Sequence, residues 1–189
     1  MESIEKIVAK QLLDIKAVKL SPEKPFTWAS GWKSPIYCDN RKVLSYPAAR
    51  KVVYEAFVEI IKKHFKDVEV IAGVATGAIA YGMMVAEVLG LPFVYVRPKP
   101  KDHGTGVQVE GDLPEKARVV VVEDLISTGG SCIEVVDALR EAGADVLGIV
   151  SIFTYGMKRG VEKIAAANTV NYSLSNLDAL VEVAAEEGY

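Results

Sequence analysis

The run Val119-Val120-Val121-Val122-Glu123-Asp124-Leu125-Ile126-Ser127-Thr128-Gly129-Gly130-Ser131 opens with four β-branched residues, the strongest buried-strand signal in the chain. A strand with no polar alternation has both faces covered, which argues for a parallel sheet sandwiched between helices. Two carboxylates then stand at the strand's end, and Ser127 to Gly130 lead into Ile133, Val136, Leu139 and Arg140, whose spacing predicts a helix over 131–142. Outward from this run the pattern repeats. Downstream it gives a strand over 146–153, a helix over 161–167, a strand over 170–173 and a helix over 177–187; upstream, strands over 68–72 and 93–96 flank a helix over 78–89. A long helix begins near Pro47, a residue suited to a first turn, with Val52, Val53, Ala56, Phe57, Ile60 and Ile61 on one face. Before it come a helix over 4–13 and short extended pieces over 17–20, 26–28 and 36–39, broken by Pro22, Pro25, Gly31 and Pro35. The expected fold class is α/β, an open and mostly parallel sheet flanked by helices. In such sheets ligands bind beyond the carboxyl ends of the strands, so the residues after each strand are where chemistry is sought.

Composition narrows the function classes. Half of the 189 residues are hydrophobic, enough for a core without disulfides or structural metal. With 22 Lys plus Arg against 25 Asp plus Glu, the net charge of -3 provides no global field for nucleic acid or an anionic membrane. The longest uncharged run, 70–86, has 17 residues but contains Gly73, Gly77 and Gly82, as a strand and helix would and a membrane span would not. The first ten residues lack the apolar stretch of a secretory signal, so a cytoplasmic protein is expected. Cys38 and Cys132 have no partner at metal-ligand spacing, which argues against a zinc site.

Chemistry concentrates after the valines. Backbone amides and hydroxyls of 127–131 converge on a helix N-terminus and form an anion cradle, with glycines that let a phosphate approach closely. Acids beside a phosphate site make sense where they accept hydrogen bonds from sugar hydroxyls or face a cationic centre. An ordinary solvated loop with a helix cap is the bland alternative, and the Ser-Thr-Gly-Gly string alone would not exceed it. No G-x-x-x-x-G-K-[ST] is present, and Gly104, Gly106 and Gly111 miss the dinucleotide spacing.

The whole block of four branched residues, two acids, two apolar residues and Ser-Thr-Gly-Gly resembles the binding signature for phosphoribosyl pyrophosphate (PRPP) in the type I phosphoribosyltransferases. The resemblance implies that Leu125, Ile126, Ser127, Thr128, Gly129, Gly130 and Ser131 surround the 5-phosphate, and that Glu123 and Asp124 hold the ribose hydroxyls, with Asp124 catalytic. It assigns the turn after 68–72, at Ala75, Thr76 and Gly77, to the pyrophosphate; on sequence alone that turn reads as helix-to-sheet packing. The segment from Arg97 through Lys99, Lys101 and His103 to Gly104 is basic and lacks periodicity to about Pro114, as a mobile functional loop would. In the family the matching loop is a lid supplied by the neighbouring subunit of a dimer, which implies a homodimer, PRPP contacts from Arg97, Lys101 and His103, and catalytic roles for Lys101 and His103. Pro98 stands where several bacterial members carry Lys, so that contact is not transferred.

The segment 26–41, with its Ser-Gly, Ser-Pro, aromatic and Asp-Asn-Arg elements, resembles the N-terminal hood of orotate phosphoribosyltransferases in particular. One domain over 1–189 is therefore expected, with the hood mainly in 1–45 plus a C-terminal contribution and the core over about 46–175. Tyr37 and Ser127 are the orotate candidates; Arg159 is left open as the carboxylate partner, and Ala29 replaces a Lys that touches substrate in some relatives. The implied reaction joins orotate to PRPP, with Mg²⁺ held mainly by the substrate rather than by dedicated protein ligands. Transfer to a purine or to uracil, and a non-catalytic PRPP sensor, are the rival readings.

Overall fold

The computed structural model describes residues 3–21, 23–27, 31, 33–97 and 108–189. The N-terminal section contains α1 (Ile4–Asp14), β1 (Val18–Leu20), β2 (Phe26–Thr27), β3 (Lys33–Ser34), β4 (Ile36–Cys38) and a 3₁₀ helix over Asn40–Ser45. Then come α2 (Pro47–His64), β5 (Val70–Val74), α3 (Ile79–Leu89), β6 (Phe93–Val96), β7 (Val109–Glu110), β8 (Arg118–Ile126) and α4 (Gly130–Glu141). The chain finishes with β9 (Asp145–Thr154), α5 (Lys158–Ala166), β10 (Asn171–Asn176) and α6 (Leu177–Glu187).

Six strands form one sheet in the order β10-β9-β8-β5-β6-β7, parallel except for β7, which pairs antiparallel with β6 at the edge. The α/β expectation therefore holds. The four valines of β8 are fully buried, as a strand paired on both sides and covered on both faces requires. Each such side chain contributes about 1.5 to 3 kcal/mol relative to exposure. The order reverses between β5 and β8: from β5 the chain crosses to β6 on one side, while β8 and its successors lie on the other. Loops leaving β5 and β8 diverge there and open a crevice at their carboxyl ends.

Several boundaries differ from the sequence pattern for identifiable reasons. The strand expected at 119–122 runs to Ile126, because its backbone ladder with β9 continues through Glu123↔Ser151 and Ile126↔Thr154 after the apolar run stops. The two acids therefore lie inside the strand rather than beyond it. The stretch to Pro114 contains β7, whose two residues are too few to show alternation. The helix expected at 161–167 starts one turn earlier, at Lys158, and so includes Gly160. Of the extended piece 26–28, Trp28 lies outside the described residues.

In the N-terminal section β1 pairs with β4 and β2 with β3, both antiparallel. The C-terminal helix packs on α1: Lys6 Nζ reaches Glu182 at 2.6 Å and Glu186 at 3.1 Å, and Ser175 Oγ donates to the Glu5 carbonyl at 2.8 Å. Among the described residues no helix is long and apolar enough to cross a membrane.

Candidate active site

The crevice between β5 and β8 is a cleft of about 580 Å³. Three segments build it. Tyr37 to Arg41 come from the end of β4 and the start of the 3₁₀ helix, Val74 to Gly77 from the turn after β5, and Glu123, Asp124, Leu125, Ser127 and Ser131 from β8 and the start of α4, with Tyr155 behind. A smaller recess of about 110 Å³, lined by Glu123 and by residues 125–132, continues it at the N-terminus of α4. The sequence-derived candidates Ala75, Thr76, Gly77, Tyr37, Ser127 and the whole run 123–131 thus meet at one place.

Backbone geometry leaves hydrogen-bond donors at the recess. Among the described residues, the first hydrogen bond of α4 runs from the Ile133 amide to the Gly129 carbonyl, 3.2 Å, and the amides of Gly130 and Ser131 serve no protein acceptor. Gly129 has φ +74°, a left-handed conformation that turns the chain into the helix and favours glycine. At the other turn the Ala75 amide donates to Val96 O at 2.8 Å, while the amides of Thr76 and Gly77 have no acceptor among the described residues. The Ala75–Thr76 peptide is cis.

Gly77 is tied to the acids by contact. A Cβ at this position would stand 2.6 Å from Asp124 Cγ and closer still to its Oδ2, so the carboxylate fills the space that any side chain would need. Glu123 is 5 % exposed and its Oε1 accepts from the Asp124 amide at 2.9 Å. Burial, reinforced by the Asp124 charge beside it, pushes the Glu123 carboxyl well above the carboxylate range. Burial also raises Asp124, against the hydrogen bond from Glu123 and the positive charge of Arg41. Two crowded acids of this kind hold protons readily, and hydroxyl or cationic donors brought to the cleft favour their ionised form.

Asn40, only 1 % exposed, ties the hood to this strand: its Nδ2 donates to the Asp124 carbonyl at 2.6 Å, its Oδ1 accepts from Cys38 Sγ at 2.9 Å, and its carbonyl accepts from the Tyr81 hydroxyl at 2.7 Å. Arg41 is the one cation lining the cleft among the described residues, and its Nε binds Asp39 Oδ1 at 2.7 Å, which holds the Asp39 carboxyl below its usual range. Periodicity gave no sign of Asn40 or Arg41 as cleft residues. Their only signal was the Asp-Asn-Arg string, and its function depends on a turn that brings it across to β8.

Other candidates fall elsewhere. Arg97 follows β6 with its guanidinium on Glu110 at 2.8 Å, and it does not line the cleft of its own chain. Arg159 is exposed on the first turn of α5, away from the cleft lining. Lys101 and His103, with Ala29, Pro98 and Lys99, lie outside the described residues. Among the described residues no cluster of three His, Cys, Asp or Glu side chains could hold a metal. A second groove of about 530 Å³ runs beneath α5 and shares Ile126 and Ser127 with the recess, but no charged side chain lines it.

Comparison with known proteins agrees with this geometry. The phosphoribosyl transferase domain family matches residues 39–179. An orotate phosphoribosyltransferase of Bacillus cereus (strain B4264) is 58% identical over 185 residues, covering 98% of this chain and 88% of that protein. Among solved structures, the orotate phosphoribosyltransferase from Aeropyrum pernix superposes with a TM-score of 0.83 at 32% identity, over 96% of this chain and 98% of the other. Leishmania donovani UMP synthase gives a TM-score of 0.84 at 27% identity over 97% of this chain, which spans only 39% of that longer protein. The chain belongs to the phosphoribosyl transferase family and, within it, to the orotate phosphoribosyltransferases.

Proposed function

We propose that this chain transfers the 5-phosphoribosyl group of PRPP to orotate, giving orotidine 5-monophosphate and pyrophosphate, a step of pyrimidine nucleotide synthesis. The observation that carries this reading is the meeting of two amide-bearing turns and one buried acid pair in a single cleft. PRPP has a phosphate at one end, a pyrophosphate at the other and a diol between, and the cleft offers a match to each in that order. The 5-phosphate sits on the turn from Ser127 to Ser131, the ribose hydroxyls donate to Glu123 and Asp124, and the pyrophosphate faces Ala75, Thr76 and Gly77.

In the reaction the bond from the anomeric carbon to the pyrophosphate oxygen breaks as a ring nitrogen of orotate bonds to that carbon. Positive charge develops on the ribose and negative charge on the leaving oxygens. Asp124, beside the sugar, stabilises the first, while Arg97, Lys101 and His103 of a closing lid stabilise the second, with His103 protonating the leaving group or hydrogen-bonding it. Arg97 does not line the cleft of its own chain, which supports a lid that serves the neighbouring subunit of a homodimer. Met83 and Val88 on α3, 45% and 52% exposed, offer apolar surface for such a partner. Tyr37 and Ser127 border the space left for orotate. Mg²⁺ would be held mainly by the substrate's own oxygens, with Glu123 and Asp124 as the nearby acids, and would supply positive charge toward the leaving group. The reaction belongs in the cytoplasm, where the buried thiols of Cys38 and Cys132 stay reduced.

The test is pyrophosphate release from PRPP with orotate, uracil, hypoxanthine or adenine as acceptor. Release with orotate alone is expected; release with another base and none with orotate would overturn the reading. Lys101→Ala should lower turnover about a hundredfold and PRPP affinity far less, because its partner charge appears late; an unchanged kcat would remove Lys101 from catalysis.

A further inference from the structure

The recess at the start of α4 is lined by Glu123 and residues 125–132, and none of these is a cation. A phosphate monoester carries close to two negative charges, while a helix N-terminus supplies the equivalent of about half a positive one. Glu123 stands in the same wall. The remaining charge has to come from outside the loop, and α5 is the element packed against it.

Three residues of α5, spaced as one helix face, meet the loop. A Cβ on Gly160 would lie 2.6 Å from the Ser127 carbonyl oxygen and 3.5 Å from the Thr128 carbonyl carbon, so helix and loop backbones touch at this point. Ile164 Cγ1 lies 3.7 Å from where a Cβ on Gly129 would stand. Between them, one turn on from Gly160, Lys163 places its Nζ 3.8 Å from the Cβ position of Gly130, the first residue of α4. Gly130 also lines the recess, so this ammonium stands beside the first residue of the helix that closes it. Lys158 on the same helix pairs with Glu162 at 3.7 Å, whereas Lys163 forms no ion pair among the described residues. Its charge reaches the first turn of α4: burial and then Glu123 push the Cys132 thiol up to about 12, and Lys163 acts in the opposite direction.

We propose that α5 completes the phosphate site, with Lys163 as a binding residue for the 5-phosphate and Gly160 as the positioning residue that sets how closely the 127–130 loop can approach α5. The assignment rests on the PRPP reading above and adds to it a residue on another helix. Lysine suits the place as a flexible point charge that can follow a phosphate without a fixed bidentate geometry.

The test compares the unsubstituted protein with Lys163→Ala and Lys163→Arg, measuring kcat, KM for PRPP and for orotate, and binding of inorganic phosphate by calorimetry. Lys163 is exposed on its helix, so the alanine variant keeps the fold. Lys163→Ala should raise the PRPP KM and the phosphate Kd about tenfold, leave kcat and the orotate KM within about twofold, and lose most of its effect in high salt, while Lys163→Arg restores binding. Unchanged PRPP KM and phosphate affinity in Lys163→Ala would overturn the role. Absence of orotate-dependent pyrophosphate release in the unsubstituted protein would instead overturn the function, and the phosphate titration would still decide the lysine. Gly160→Ala should raise the PRPP KM without moving the orotate KM; equal shifts in both would make Gly160 a general packing residue.

Discussion

Two strand-to-helix turns feed the same cleft, and they do so with different means. The turn after β8 is rich in side-chain chemistry: Ser127, Thr128 and Ser131 add hydroxyls to free amides, and Gly129 turns the backbone through a left-handed conformation. The turn after β5 is nearly bare. Ala75 and Gly77 carry no polar side chain and Thr76 adds a single hydroxyl, so its main contribution is backbone amides, with Gly77 held against the Asp124 carboxylate. Position at the reversal of strand order, shared by both, is what brings each to the cleft. Side chains then decide how an anion is held, and the bare turn depends more on the absence of a Cβ than the rich one does.

That contrast can be pushed until it fails. Gly77→Ala should be the most damaging change, since the added methyl occupies space held by the Asp124 carboxylate and must displace it from the sugar. A loss of about a hundredfold in kcat/KM for PRPP is expected, with an intact fold by circular dichroism. Gly129→Ala should be milder: a left-handed alanine costs about 1 to 2 kcal/mol, but the nearest atom to its Cβ, the Gly160 carbonyl oxygen, is at 3.5 Å and leaves room. Steady-state kinetics should show a PRPP KM raised by up to about tenfold with kcat little changed. If Gly129→Ala proves worse than Gly77→Ala, the bare turn is not the more Cβ-sensitive of the two.

The smallest effect is in pH. Glu123 and Asp124 have carboxyls raised above the ordinary values of 4.5 and 3.8, so the folded protein holds protons that the unfolded chain has already released. Their contribution to stability is therefore fully present at low pH and is lost as pH rises through the raised folded values. Thermal midpoints of the ligand-free protein between pH 5 and 8 should fall less steeply for Glu123→Gln than for the unsubstituted chain, by a few degrees across the range. Identical slopes would mean that the pair titrates normally.

Much of the fold was legible because its signals are local. The valines of β8, the one-sided apolar face of α2 and Pro47 at its start, and the alternation of elements after Val70 follow from side-chain pattern alone. What escaped depends on pairing across the chain. β8 continues through two acids because β9 offers backbone partners, and the strand expected at 170–173 runs on through Ser175 to Asn176 because β9 pairs with it there as well. The site divides the same way. The acids and the Ser-Thr-Gly-Gly turn stood out from the sequence only as one block behind the valines, and the turn at Ala75 to Gly77 was readable as a candidate only through family resemblance. Asn40 reaches the site by bonding to Asp124, 84 positions along the chain, and Lys163 by the packing of α5 on a loop; periodicity marks neither contact.

Crystals of the protein soaked with PRPP and Mg²⁺ test the central claim most directly. The 5-phosphate should rest on the amides of residues 127–131, with the ribose hydroxyls on Glu123 and Asp124 and the pyrophosphate against Thr76 and Gly77. A donor bound with its 5-phosphate in any other part of the molecule would contradict the account.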